Sequence, residues 1–244
     1  MKPVMAVFKR EFAAYFATPL AYVFIVIFLL AMGAFTFYVG HFYDNGVATL
    51  SVFFGYHPWL YLFLVPAVGM RLWAEERRLG TIELLLTLPI PIWASVVGKF
   101  LAAWAFTGVA LVLTFPIWIT VNYLGNPDNG AILASYVGSF LMAGGYLAIS
   151  AAVSASTNNQ VIAFVVSVVV CFLFTIAGAP LVLDFFQLWA PIVLVNTISS
   201  FSFLTHFQAI SSGVIDLRDL IFFGSLIALF LSINVVLVDL KKTD

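Results

Sequence analysis

The chain has 244 residues, of which 64% are hydrophobic and 9% charged, whereas about 25% of residues are charged in an ordinary soluble domain. Ten Lys plus Arg and eleven Asp plus Glu are too few to cover a water-facing surface, so the composition excludes a soluble protein. The net charge of −1 gives no basic field for nucleic acid. With Cys171 as its single cysteine, the chain can form neither an intramolecular disulfide nor a cysteine-based metal site.

The first 18 residues have a pattern of their own. Val4, Phe8, Phe12 and Phe16 recur every four residues, so in a helix they form one apolar stripe with the charged residues largely off it. We expect residues 1–18 to form an amphipathic helix that lies in the membrane interface. No small-residue cleavage site follows the next apolar run, which argues against a cleaved signal peptide.

Apolar blocks of membrane-spanning length follow. A helix needs about 20 apolar residues to cross the hydrocarbon core of a bilayer. The segments that meet this requirement are 20–39, 59–73, 93–123, 132–154, 161–178 and 220–238. We therefore predict an all-α integral membrane protein with six transmembrane helices in one domain over residues 1–244.

The basic residues predict the orientation. If the N-terminus is cytoplasmic and the chain crosses six times, every Lys and Arg except Arg218 lies on or near the inner side. The outer loops then carry most of the aspartates. The pattern predicts a multi-pass membrane protein with both termini in the cytoplasm.

Residues 181–215 allow two interpretations, because this apolar stretch is interrupted by Asp184, Pro191 and Asn196. A seventh span would place Lys241 and Lys242 outside, against the charge bias. We favour two short re-entrant helices that dip into the outer leaflet and return. Such backbone is tolerated at membrane depth only where protein packs around it.

Small residues recur along the fourth predicted span, including Ser139, Ala143, Gly144 and Gly145. Small side chains let helices approach closely in lipid. We expect tight packing inside this subunit or across a dimer; a substrate path lined by small residues is the alternative.

The densest charge cluster runs from Arg71 to Glu83 and precedes a leucine-rich stretch that ends at Pro89. The cluster could be only the cytoplasmic stop signal after a span. Its surroundings favour a second interpretation, because Gly80 suits the end of one helix and Thr81 can cap another. A helix over 81–88 would be too short to be stable alone and too apolar for water. It would suit a groove on a soluble partner.

The stretch 75–89, with sequence EERRLGTIELLLTLP, resembles the E-x-x-x-G-T-x-E-x-L-L-x-x-P motif of ABC-2 type transporter permeases. The opening residues FKREF, YF and TPLAYV, within 8–23, resemble the gliding-motility-associated permease GldF branch of that family. The resemblance implies a surface helix, six spans, a cytoplasmic coupling helix between spans two and three, and outer re-entrant helices between spans five and six.

The resemblance also implies a location in the bacterial cytoplasmic (inner) membrane, and it implies partners. It predicts a permease subunit that works as a dimer, or with a similar second permease, and couples ATP hydrolysis by a separate cytoplasmic ATPase to export or conformational work. ATP and Mg would bind to that ATPase, with no cofactor bound directly by this chain. The residues expected at the ATPase contact are Glu75, Glu76, Arg77, Gly80, Thr81, Glu83, Leu84, Leu85 and Leu88.

The sequence has no ATP site of its own, since Lys99 is not part of a G-x-x-x-x-G-K-[ST] loop. We therefore expect no enzyme activity in the isolated chain, and we interpret Lys99 as a lysine whose ammonium reaches the headgroups. No catalytic H-E-x-x-H or G-x-S-x-G motif occurs.

Two further function classes stay open. His41, His57 and His206 fall on the predicted outer side, where anchoring in the interface is the simpler interpretation and a metal or haem site the alternative. The chain could also be a mechanotransmission or scaffold subunit that moves no substrate and drives an extracytoplasmic partner. The resemblance supports that alternative, because gliding-type permeases associate with membrane subunits that have large outer domains.

Overall fold

A computed structural model describes residues 2–44, 46–82 and 89–240 of the chain. Within these ranges the regular structure is helical and no strand occurs, in agreement with the predicted all-α class. The helices are α1 (Lys2–Phe16), α2 (Pro19–Gly33) continued by a π-helix (Ala34–Val39), α3 (Ser51–Gly55), α4 (His57–Gly69), α5 (Arg71–Arg78), α6 (Ile92–Val112), α7 (Phe115–Leu124), α8 (Asn129–Ser156), α9 (Gln160–Ile176), α10 (Pro180–Gln187), α11 (Ile192–Ser200), α12 (Phe203–Ser211) and α13 (Leu217–Leu240).

Helix α8 is the centre of the bundle. Asp128 caps its start by accepting hydrogen bonds from the N–H groups of Gly130 and Ala131. Its second half is almost completely buried. It packs against α4, α5, α6, α9, α12 and α13, so it links helices from the first half of the chain to helices from the second half.

The small residues of α8 allow this close packing. A Cβ added to Gly144 would lie 2.8 Å from the Trp104 ring, and one added to Gly145 would lie 2.6 Å from Phe203. On the facing helix α4, a Cβ on Gly69 would lie 2.4 Å from Ser150 Cβ. The expectation of tight packing inside the subunit is confirmed.

Four helical stretches of the described residues are long and apolar enough to cross a membrane: Pro19–Val39, Ile92–Leu124, Asn129–Ser156 and Leu217–Leu240. They correspond to the first, third, fourth and sixth predicted spans. Gln160–Ile176 gives a fifth if it is counted with Pro180–Gln187, which is bent from it by 71°.

The second predicted span, 59–73, is divided at Met70 into α4 and α5. Helix α4 has 13 residues, fewer than a span ordinarily needs. The structure thus supports a multi-pass protein, and the count of six spans stays a prediction.

Residues 177–216 form three short helices instead of the two that we expected. Helix α12 is held firmly, because Phe203, Phe207 and Ile210 are buried against α8 and its neighbours. Helix α10 buries no residue at all. We call residues 177–216, together with residues 40–56 and 125–128, the loop end of the bundle.

Candidate functional site

Lys99 of α6 lies at the centre of an ionic network that joins three helices. Its Nζ is 2.6 Å from Glu76 Oε1 of α5 and 3.3 Å from Glu11 Oε1 of α1. The Trp73 ring lies 5.4 Å from the same nitrogen, within the range of a cation–π contact. The Lys99 residue is only 2% exposed.

The expectation that Lys99 reaches the headgroups was wrong. Its ammonium turns inward because α1 and α5 bring two carboxylates to it, and a buried ammonium is stable only when it is paired. Nothing in the local sequence around Gly98 and Lys99 indicates this pairing, since the partners lie 88 and 23 positions earlier in the chain.

The N-terminal helix is thereby tied to the bundle. Helix α1 runs along α6, and a Cβ on Gly98 would lie 2.7 Å from Val7 Cβ. Burial alone would raise the pKa of the Glu11 carboxyl, but the charges of Lys99 and Arg10 outweigh burial and hold that pKa below its ordinary value of 4.5. Glu11 is therefore ionised at neutral pH and able to pair with Lys99.

A second ion pair stabilises the start of α5. Arg71 Nε and Nη2 donate to the two carboxylate oxygens of Glu75 over 2.6 and 3.0 Å. This two-bond geometry is the strongest that a guanidinium and a carboxylate can form.

A cavity of about 260 Å³ opens between α1 and α5 beside these pairs. Its walls include Glu11, Tyr15, Arg71, Glu75, Glu76 and Lys99. We call this region, defined by Glu11, Arg71, Glu75, Glu76 and Lys99, the charged end of the bundle. It gathers carboxylates and cations from three helices around one opening.

The hydroxyl of Ser154 joins α8 to the break between α4 and α5. Its Oγ accepts from the backbone N–H groups of Trp73 and Ala74 over 3.1 and 3.0 Å and donates to the Met70 carbonyl over 2.7 Å. The first N–H groups of a helix have no partner within the helix, so a side chain of α8 supplies one to α5. Sequence reasoning missed Ser154, which looks like any other small residue of its helix.

The charge-rich helix α5 ends where the sequence predicts. Gly80 has φ +70°, the left-handed conformation common just after a helix, and the exposed Thr81 donates its hydroxyl to the Glu76 carbonyl over 3.3 Å. Of the predicted coupling helix over 81–88, Thr81 and Ile82 are helical. Glu83, Leu84, Leu85 and Leu88 lie outside the described residues.

The structure places the first five predicted contact residues on one short stretch. Glu75, Glu76 and Arg77 occupy the last turns of α5, and Gly80 and Thr81 follow it directly. Glu75 and Glu76 have half-buried side chains bonded to Arg71 and Lys99 respectively. At least two of the predicted contact residues therefore also hold the charged end together.

The three histidines have three different environments. His41 is exposed, with Nδ1 3.1 Å from Asp44 Oδ2. His57 is completely buried among aromatic rings, including those of Phe53 and Phe54. Anchoring in the interface is therefore wrong for His57, which is part of the core.

His206 is also buried, and its two ring nitrogens both face acceptors. Nδ1 lies 2.6 Å from Asp219 Oδ1 and Nε2 lies 2.9 Å from the Ser200 carbonyl. The ring stacks on Phe222, so His206 joins α11, α12 and α13 rather than anchoring in the interface. In the parts of the chain that the structure describes, no three His, Cys, Asp or Glu side chains form a group able to hold a metal ion.

Residues 5–239 match the model of a family described as ABC-2 family transporter protein. The match extends over almost the whole chain and includes most of α1, both ends of the bundle and nearly all of α13. A search of curated proteins finds no match.

Proposed function

The chain belongs to the ABC-2 transporter family, and from that premise we propose that it is the permease subunit of an ABC transporter, driven by a separate cytoplasmic ATPase. Permeases of this family are membrane components and not ATPases themselves, so ATP and Mg would bind to the partner. The family match over residues 5–239 is the observation that carries this proposal.

The geometry of the charged end supports a contact with the ATPase there. Helix α5 leads from the membrane domain directly into the leucine-rich stretch at 83–88, which would enter a groove of the ATPase as the coupling helix. Glu75, Glu76, Arg77 and Glu83 would form the polar rim, and Leu84, Leu85 and Leu88 the apolar plug. Gly80 provides the turn between α5 and that segment.

Ion pairs and hydrogen bonds connect this contact to the rest of the bundle. The Lys99 network holds α5 against α6 and α1, and the Ser154 hydroxyl holds it against α8. Because α8 packs against six other helices, ATP-driven closure of the ATPase pair that pushes on residues 81–88 would move several helices together. Two permease chains, identical or similar, would face the two ATPase copies.

The contact is tested with Glu83→Lys and Leu85→Asp. Either change should reduce co-purification with the ATPase and ATP turnover of the complex, because one reverses a charge at the rim and the other places a charge in the apolar plug. Val214→Asp, which adds the same charge at an exposed position of the loop end, is the matched control. Undiminished complex and ATP turnover in both variants would refute the proposed contact.

A second candidate function is mechanotransmission without a transported substrate. Helix α10 buries no residue, and Leu181, Leu188 and Trp189 at this part of the loop end are 86%, 83% and 64% exposed. Such a surface would suit a membrane subunit with a large extracytoplasmic domain. Leu188→Asp should then release that subunit while the ATPase stays bound; retention of an outer subunit in that variant would argue against this candidate.

A further inference from the structure

The loop end contains a cavity of about 440 Å³ that lies far from the charged end. Its volume falls within the range of sites for small molecules. It is walled by three separate segments: residues 49–58, the start of α8 with its preceding loop, and α12 with the residue after it. Ser135 at this cavity and Ser154 at the α5 contact are 19 residues apart on α8, or about 28 Å along the helix axis.

The lining of this cavity is divided between an apolar floor and a polar rim. Leu50, Phe54, Ile132 and Phe207 are buried and form the floor. The rim is formed by exposed side chains with oxygen or amide groups: Thr49, Ser51, Asp128, Gln208 and Ser212. A ligand that fits has an apolar body and a polar end.

Three of the five hydroxyls that line the cavity present lone pairs to it rather than protons. Ser135, Ser211 and Ser212 donate their hydroxyl hydrogens to the carbonyls of Ala131, Gln208 and Ala209 over 2.7, 3.0 and 2.6 Å. Each oxygen can then act only as an acceptor toward a ligand. Thr49 and Ser51 hydrogen-bond to each other, and Gln208 carries both an acceptor oxygen and a donor amide group. Acceptors therefore predominate around the cavity and favour a ligand whose polar end donates hydrogen bonds.

The charges at the loop end favour a cation over an anion. Asp128 is the single charged residue among the described lining residues. Its Oδ1 occupies the positive start of α8 by accepting from Gly130 and Ala131, so that helix end is not left for an anionic ligand. The sequence of the loop end carries four aspartates and no Lys or Arg.

From the lining and its charge we propose that this cavity binds a cationic amphiphile, with an ammonium group that donates to the hydroxyl oxygens and the Asp128 carboxylate. The apolar body of the ligand rests on Phe54, Ile132 and Phe207. The inference goes beyond the proposed function, because binding here requires neither an ATPase nor a particular direction of transport.

The test uses the purified full-length chain in lipid nanodiscs, without ATPase, and the fluorescent probe dansylcadaverine. Its matched partner is N-dansyl-6-aminohexanoate, which has a similar apolar body and a carboxylate in place of the ammonium. We expect saturable binding of the first probe above the signal from empty nanodiscs and none of the second. Equal binding of both probes, or a signal equal to that of empty nanodiscs, would overturn the proposal.

Two variants, with a third as control, test whether the probe binds in this cavity. Asp128→Asn should weaken binding of dansylcadaverine about three- to tenfold by removing the charge, while the amide oxygen still caps α8. Asp184→Asn removes the same charge from α10, outside the cavity lining, and should leave affinity unchanged. Ser212→Trp, which fills the rim from an exposed position, should also weaken binding. Equal affinity of wild type, Asp128→Asn and Ser212→Trp would contradict the assignment.

Discussion

At the scale of single residues, Lys99 determines how the charged end is held together. The carboxylates of Glu11 and Glu76 are both bonded to its ammonium, and their side chains are 19% and 20% exposed. Lys99→Met should therefore leave the half-buried Glu76 carboxylate without its cation and Glu11 with Arg10 alone, at a cost of about 2 kcal/mol in the free energy of unfolding.

The matched test of this cost is the triple variant Glu11→Gln/Glu76→Gln/Lys99→Met. Because it removes the carboxylates together with the ammonium, it should recover most of the stability that Lys99→Met loses. The free energies are compared by unfolding in sodium dodecyl sulfate. If the triple variant is no more stable than Lys99→Met, the loss comes from packing around Lys99 and not from its charge.

Ser154 is the other residue on which the charged end depends. Ser154→Ala removes three hydrogen bonds to α5 and its preceding turn, which should cost about 1–3 kcal/mol. Ser232→Ala on α13 removes a local hydrogen bond to the Ala228 carbonyl and serves as the control. We expect ATP turnover of the complex to fall in Ser154→Ala alone. Equal turnover in both variants would show that the Ser154 hydroxyl does not help to couple α5 to α8.

At the scale of elements, the attachment of α1 should depend on pH. The pKa of Glu11 is lower in the folded chain than its ordinary value of 4.5, so its contribution to stability is present above pH 4.5 and is lost as the pH falls through the lowered pKa. Wild type should therefore exceed Glu11→Gln in stability at neutral pH and lose that advantage in acid. A difference that is the same at pH 7 and pH 3.5 would contradict the ion pair.

The long helices were predictable and their interruptions were not. Apolar length alone predicts α2, α8 and α13, because a spanning helix must satisfy its own backbone in lipid. The break at Met70 depends on Ser154, and the inward turn of Lys99 depends on Glu11 and Glu76. These partners are far apart in sequence, so no local pattern contains them. Gly80 was predictable, since its role as a helix terminator is local.

At the scale of the whole molecule, the two ends of the bundle differ in chemistry and are joined by α8. The charged end gathers ion pairs beside the proposed ATPase contact, and the loop end contains short helices and a cavity with an acceptor-rich rim. We expect the charged end to face the cytoplasm, because the basic residues gather there.

This orientation is tested by labelling single cysteines in a Cys171→Ser background with a membrane-impermeant maleimide. Asn129→Cys and Ser200→Cys should react from outside intact cells, and Thr243→Cys should react only after the membrane is opened. Labelling of Thr243→Cys from outside would contradict six crossings with a cytoplasmic C-terminus.

The most direct test of the central claim is photo-crosslinking from the charged end. A benzoylphenylalanine at Thr81, which is exposed at the start of the proposed coupling helix, should form an adduct with the ATPase in cells. The same residue at Ser212 of the loop end should form none. A complex that co-purifies normally but gives no adduct from Thr81, or gives one from Ser212, would show that the ATPase does not dock where the charged helix leads.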